Sequence, residues 1–170
     1  PDGRNIVIDG GSTSQSKCGT YTLLPALRSQ GMTEIDCWFV THTDEDHISG
    51  LKELLLQGKL TQIKVRTVVF SAYVFQDAAL AELEAVIRAA GITIVWMREG
   101  DVIGDDTFTL TCLHPTAEYR AKDKNAASLA LAYHSDTFDM LFTGDMDADA
   151  VADMDIQQDY DCIKLPHHGS

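Results

Sequence analysis

The 170-residue chain is long enough for one domain with a hydrophobic core, and its 45% hydrophobic content is ordinary for a globular protein. Its 26 acidic and 13 basic residues give a net charge of −13, which argues against a passive nucleic-acid-binding module because the surface repels polyanions. We expect neither a membrane span nor a signal peptide within this chain, although Pro1 is not a natural start and a longer parent chain remains open.

The hydrophobic pattern predicts strands and helices that alternate along the chain, which indicates an α/β protein. A hairpin is expected around residues 135–137, and Pro25 is expected in the first turn of its helix. The predicted strands cover residues 5–8, 35–40, 64–71, 92–97, 108–112, 128–133, 138–142 and 161–165. The predicted helices cover residues 21–30, 48 to about 57, 78–90 and 148–154.

The four cysteines include no CxxC pair, which argues against a zinc–thiolate site. Cys37 and Cys162 lie in apolar, strand-like runs and are expected to be buried thiols. A disulfide stays open, so the cysteines do not decide the compartment.

The stretch from Thr41 to His47 carries two imidazoles and three carboxylates. It follows a predicted buried strand and precedes a predicted helix, so we expect it on a loop at a strand's carboxyl end, where open α/β sheets bind ligands. His42 with Asp44 could hold one divalent ion, and Asp46 with His47 a second. The alternative is an acidic helix start with two incidental histidines, but that leaves both imidazoles unexplained and crowds three like charges without a cation.

Other polar residues also follow predicted strands. Asp9 precedes two glycines and, taken alone, is a turn residue. Asp145 alone would usually be a helix cap, and the His167–His168 pair alone could be a surface feature. Their joint placement after strands favours a metal site, although the sequence does not choose between His167 and His168.

These motifs resemble the metallo-β-lactamase fold, whose usual HxHxDH motif reads HxDxDH here at residues 42–47. The strings TGD at 143–145 and LPHHGS at 165–170, with Gly19, Tyr21 and Pro25 in GTYTLLPALRSQGMTEID, are similar to the C-terminal hydrolase domain of ComEC, the DNA-uptake channel protein of natural competence. The resemblance implies an αββα sandwich that forms one domain over residues 1–170. It also implies that the domain is incomplete at both ends, with flanking strands missing.

The resemblance implies two divalent ions, zinc or manganese. Asn125 and Ser128 stand where the wider fold has another histidine, and with Asp9 they are expected to support the ligands rather than bind metal. His114 and His134 are expected to be structural. The oxygen-rich first site predicts a preference for manganese over zinc, or weak binding. The ligands implied by the motifs are His42, Asp44, Asp46, His47, Asp145 and one of His167 and His168.

The expected activity is phosphodiester hydrolysis, most plausibly of DNA, with Asp46 orienting the attacking water and Asp145 bridging the ions. A basic loop could contact substrate phosphate or be simply solvated; its residues are Arg120, Lys122 and Lys124. Because fold does not fix substrate, hydrolysis of a small ester, lactam or thioester stays open. Because Asn125 and Ser128 stand where the wider fold has a histidine, a third alternative stays open: a metal-poor structural or DNA-guiding domain of a channel.

In a ComEC-like parent, the membrane channel portion of the same chain is an expected partner. The domain would then lie at the extracytoplasmic face of the bacterial cell membrane; otherwise it would be cytoplasmic.

Overall fold

The computed structural model describes residues 3–154, 156 and 158–169. The chain divides into two compact units, the first reaching Val69 and including Gln76–Val95, the second comprising Phe70–Phe75 and the residues from Trp96 onward. Within the described residues there are two β-sheets and four α-helices. Ser170, the last residue of the LPHHGS motif, lies outside them.

The first unit is built on a sheet whose strands follow the order β1-β2-β3-β4. Its first three strands are parallel, as the intervening helices require. The strands are β1 Ile6–Ile8, β2 Glu34–Phe39, β3 Lys64–Ser71 and β4 Thr93–Met97, and β3 and β4 each run two residues past the boundary of the unit. The helices are α1 Leu24–Ser29, which follows a π-helical turn over Gly19–Leu23, α2 Glu45–Gln57 and α3 Ala78–Ala89, with a 3-10 turn over Gly58–Leu60.

Apolar periodicity explains this unit. The side chains of Trp38 and Phe39 in β2 are fully buried, as an apolar run in a parallel sheet predicts. The helix α3 buries Leu80, Leu83 and Ile87, which share one face at helical spacing. Pro25 occupies the first turn of α1, where its missing N–H costs nothing.

The second unit contains a five-stranded sheet in the order β5-β6-β7-β8-β9. Neighbouring strands are antiparallel except β8 and β9, which are parallel. The elements are β5 Val102–Gly104, β6 Phe108–His114, β7 Ala130–Ser135, β8 Phe138–Phe142, α4 Ala148–Asp153 and β9 Cys162–Lys164. The predicted hairpin is confirmed, with Ser135 paired to Phe138 across its turn. A small core of Ala130, Met146, Ala150 and Met154 packs α4 against this sheet.

Three expectations were wrong or incomplete. The helix α2 begins at Glu45 rather than Ile48, so Asp46 and His47 lie in its first turn and not on a loop. The short strand β5 was not predicted, because three residues carry no clear periodicity. Cys162 is exposed rather than buried, since β9 is a short edge strand. All four cysteines are free thiols.

Among the described residues, no helix has both the length and the apolar character needed to cross a membrane.

Candidate metal centre

The Asp9 carboxylate organises the first cluster. It accepts hydrogen bonds from the Thr41 backbone N–H at 2.8 Å and from the Thr41 hydroxyl at 2.7 Å. Its Oδ2 atom also lies 2.8 Å from Nδ1 of His47. Asp9 adopts a left-handed backbone conformation with φ of 56°, which turns its carboxylate back toward the end of β2.

These bonds select the nitrogen that each histidine can offer to a metal. An ionised carboxylate only accepts, so Nδ1 of His47 carries the proton and Nε2 carries the lone pair. The Thr41 hydroxyl donates to Asp9 and can therefore accept from Nδ1 of His42, 3.0 Å away. Asp9 thus holds both imidazoles in the tautomer that ligates through Nε2, one directly and one through Thr41.

The two imidazoles lie together and are shielded from water. Their ring centroids are 4.0 Å apart, and His42 and His47 are 0% and 3% exposed. The pair therefore offers two imidazoles from one compact, buried position.

Asp44 occupies the N-cap position of α2, but its side chain makes no capping hydrogen bond. Its Oδ2 instead lies 3.5 Å from Nε2 of His42, which fits the predicted pairing of these two residues as ligands. Asp46 is partly buried in the first turn of α2, whereas Glu45 points to solvent. The plain helix-cap alternative therefore does not describe Asp44.

Glycines let the chain after β1 approach α2 closely. The Gly10 N–H donates to the His47 carbonyl at 2.9 Å, and the Gly50 N–H donates to the Gly10 carbonyl at 3.0 Å. A Cβ atom at Gly11 would lie 2.5 Å from the Glu45 carbonyl oxygen. The backbone of this turn thus fixes the first turn of α2, which carries Asp46 and His47.

The second unit brings Asp145 and His168 together. Strands β8 and β9 are parallel, with Phe142 opposite Lys164, so the segments that follow them emerge at the same edge. Nε2 of His168 lies 3.3 Å from Oδ2 of Asp145. The Asp145 backbone N–H donates to the hydroxyl of Ser128 at 3.1 Å, so the buried Ser128 supports this loop.

The structure gives contacts for both histidines that the sequence could not distinguish. Nδ1 of His167 lies 3.5 Å from Nδ2 of the Asn125 amide. Both histidines have left-handed backbone angles, and their ring centroids are 6.3 Å apart. The contact of His168 with Asp145 makes His168 a candidate ligand.

Lys164 was missed by the sequence reasoning. Its Nζ donates to the Gly144 carbonyl at 2.6 Å and lies 3.1 Å from Oδ1 of Asp145. The Asp145 side chain is 5% exposed, so this ammonium is a significant local charge. The only available signal was the position of Lys164 at the end of the strand that precedes LPHHGS.

The basic loop of the second unit makes contacts of its own. Lys122 forms an ion pair with Asp147 at 2.6 Å, and this lowers the pKa of the Asp147 carboxyl. The guanidinium of Arg120 donates to the carbonyls of Ala117 and Tyr119 at 3.0 and 3.2 Å. Contact of Arg120, Lys122 and Lys124 with a substrate phosphate stays a prediction.

The remaining histidines make structural contacts in the second unit. His114 is fully buried, its Nδ1 donates to the Ser128 carbonyl at 3.0 Å, and burial lowers the pKa of its imidazole. His134 is 61% exposed and pairs with Asp139 in the neighbouring strand.

Comparison with known proteins identifies the family. Residues 1–117 match the family described as the metallo-beta-lactamase superfamily. The chain belongs to the metallo-beta-lactamase superfamily. The predicted fold class is therefore confirmed, and membership implies a metal-dependent hydrolase that binds divalent metal.

Individual relatives agree with this membership. The chain is 30% identical to ComE operon protein 3 of Bacillus subtilis over 99% of its own length and 23% of that protein. The chain thus spans about a quarter of this relative, and the predicted resemblance to the ComEC group of the superfamily is confirmed.

Two solved structures show the same fold. The metallo-beta-lactamase fold protein YhfI of Bacillus subtilis has a TM-score of 0.50 at 14% identity, over 81% of this chain and 49% of that one. A Cronobacter sakazakii metallo-beta-lactamase with an HARLDQ motif has a TM-score of 0.54 at 14% identity, over 84% and 52%.

The residues of both units fit divalent metal. Imidazole and carboxylate together suit borderline and hard divalent ions, and no thiolate stands among the candidate ligands. The fixed Nδ1 bonds of the first cluster are the arrangement in which metal-binding histidines usually occur.

Proposed function

We propose that the chain is a metal-dependent phosphodiesterase that acts on DNA. The observation that carries the proposal is the set of Asp9 contacts, which direct Nε2 of both buried imidazoles toward ligation. Metal-binding histidines usually hold their second ring nitrogen in a hydrogen bond of this kind.

We further propose that the ligands implied by the sequence motifs bind two divalent ions. His42, Asp44, Asp46 and His47 would contribute from the first unit, with His42 and Asp44 favouring one ion. Asp145 would contribute the carboxylate shared between the ions, and His168 the last imidazole, with Asp9, Asn125 and Ser128 in support. His167 is the weaker candidate because it contacts Asn125.

When bound, the ions would supply an activated water and positive charge for the phosphate. The protein's part would be to hold the ligands, and Asp46, in the first turn of α2, would orient the attacking water. Carboxylates are as numerous as imidazoles among these ligands and no thiolate is included, so manganese should serve at least as well as zinc. The ions would also offset the repulsion between a chain of net charge −13 and a polyanionic substrate.

Assignment to DNA is supported by the 30% identity to ComE operon protein 3, together with the HxDxDH and LPHHGS motifs. On this proposal the channel portion of the same parent polypeptide is the domain's partner. The domain would then lie on the extracytoplasmic face of the bacterial cell membrane.

The proposal is tested by cleavage of a labelled single-stranded oligonucleotide across metal ions. Cleavage is expected with Mn²⁺, and it should be lost in chelator and in Asp46→Ala. The matched control is His134→Ala, which removes an exposed histidine outside both clusters. Cleavage that persists in chelator, or that is equal in wild type and Asp46→Ala, would contradict the proposal.

Substrate class is tested by competition. Unlabelled DNA, a small phosphodiester and a β-lactam are added separately, at equal concentration, to the oligonucleotide assay. We expect unlabelled DNA to reduce cleavage of the labelled oligonucleotide most strongly. Preferential turnover of the β-lactam, or of a small ester or thioester, would assign the chain to a different hydrolase of the same superfamily.

Lys164 favours a second candidate function, a structural or DNA-guiding domain with little metal. Its ammonium already neutralises Asp145 from 3.1 Å, and Asn125 stands in a turn where the wider fold carries a histidine. This candidate predicts no Mn²⁺ binding and no cleavage with any ion.

A further inference from the structure

Two buried threonines alternate with candidate ligands in the loop that joins β2 to α2. Thr41 and Thr43 are each 1% exposed, and His42 and Asp44 follow them in turn. The Thr41 hydroxyl is held by Asp9, as described above. The Thr43 hydroxyl is held by a second carboxylate, that of Asp77, at 3.1 and 3.3 Å from its two oxygens.

Asp77 is itself firmly placed. It is the N-cap residue of α3, and its Oδ1 accepts from the Leu80 backbone N–H at 2.8 Å. Leu80 is 1% exposed, so the first turn of α3 is anchored in the core of the first unit. The Asp77–Thr43 contact therefore connects the loop to a fixed point and not to a mobile surface side chain.

This contact holds the part of the loop that sets the relative positions of two candidate ligands. Thr43 lies between His42 and Asp44, so its backbone angles set the direction of one side chain relative to the other. Those side chains approach to 3.5 Å between Nε2 and Oδ2. A metal site tolerates little error in such a pair, since ligand atoms must converge on one point about 2 Å from each of them.

We propose that Asp77 is a positioning residue for the metal loop, which acts through Thr43 as Asp9 acts through Thr41. The inference rests on the proposed metal site of the first unit and extends it to the start of α3. The competing explanation is that Asp77 only caps α3, in which case the Thr43 hydroxyl merely satisfies a buried donor.

Substitution of Thr43 separates these explanations because it leaves the cap of α3 intact. Thr43→Val removes the hydroxyl and keeps the branched shape, whereas Thr43→Ser keeps the hydroxyl and removes a methyl group. Ala81→Gly serves as the stability control, since it weakens α3 at an exposed position and leaves the hydroxyl of Thr43 in place.

Three properties are measured for each variant. They are the dissociation constant of the more tightly bound Mn²⁺ ion, obtained by titration, the visible absorption spectrum of the Co²⁺-bound protein, and the melting temperature. Thr43→Val should raise the dissociation constant by about 10-fold, as loss of a supporting contact around a metal ligand typically does. It should also alter the Co²⁺ spectrum. Thr43→Ser should restore both, and Ala81→Gly should lower the melting temperature without changing either.

Equal Mn²⁺ affinity and an unchanged Co²⁺ spectrum in Thr43→Val would overturn this inference while leaving the metal site in place. An effect of Ala81→Gly as large as that of Thr43→Val would overturn it as well, because the effect would then be one of general stability. No binding of Mn²⁺ or Co²⁺ by the wild-type protein would overturn the proposed function and this inference together.

Discussion

Asp9→Asn changes the chemistry of the first cluster with almost no change in shape. Asparagine tolerates the left-handed backbone at this position better than other side chains, so the turn should persist. The amide can still accept from the Thr41 N–H through its oxygen. Its NH₂ group, however, would replace the acceptor that faces the Thr41 hydroxyl and Nδ1 of His47.

An amide NH₂ group facing Nδ1 of His47 favours the tautomer with the proton on Nε2. A protonated Nε2 cannot bind a metal ion. Loss of such a supporting contact typically weakens metal binding by about 10- to 100-fold, which corresponds to about 1.4 to 2.7 kcal/mol. Because Asp9 also acts on His42 through Thr41, we expect the upper part of this range.

The assay is competition for Mn²⁺ against a fluorescent chelator, with wild type and Asp9→Asn compared at equal concentration. Asp139→Asn is the matched control, since it neutralises a carboxylate that pairs with the exposed His134. Equal affinity in Asp9→Asn and wild type would refute the account of the tautomers, as would an equal loss in Asp139→Asn.

Further predictions concern other residues. Gly50→Ala should destabilise the protein by about 1–3 kcal/mol in urea unfolding, because the added Cβ would lie 2.6 Å from the Gly10 carbonyl oxygen. Alanine favours helices over glycine, so a stabilised variant would show that this clash is absent. Burial lowers the pKa of His114 in the folded protein. As the pH falls below about 6.5, the imidazole of His114 is protonated in the unfolded chain before it is protonated in the folded one, so the free energy of unfolding decreases. His114→Asn should therefore flatten the decline in unfolding free energy between pH 7.5 and 5, and equal slopes would refute that. Lys164→Gln should strengthen Mn²⁺ binding roughly fivefold in titration, since an ion pair with Asp145 worth about 1 kcal/mol no longer competes; weaker binding would show that the ammonium supports the site.

Most of the secondary structure was predictable because apolar residues recur with clear periods. The strand β3 has the predicted bounds, and α3 ends one residue earlier than predicted, before Gly91 with φ of 70°. The start of α2 was misplaced because its N-cap residue, Asp44, also reads as a ligand on a loop. Asp46 and His47 were singled out from the motif, but their place in a helical turn needed the structure.

Contacts between distant positions were beyond the sequence. Lys164 meets Asp145 across 19 positions, and nothing in the local pattern of Lys164 indicates an ion pair. Likewise, only the geometry after β9 places His168 beside Asp145 and His167 beside Asn125. The sequence analysis did not single out Asp77, whose bond to Thr43 joins residues 34 positions apart.

The proposed ligand set is tested by equilibrium dialysis against Mn²⁺, followed by metal analysis with plasma mass spectrometry. We expect about two ions bound per wild-type chain, and loss of bound metal in both His42→Ala and Asp145→Ala, whose residues belong to different units. His134→Ala should retain the wild-type content. Full metal content in Asp145→Ala, or none in the wild type, would contradict the proposed ligand set.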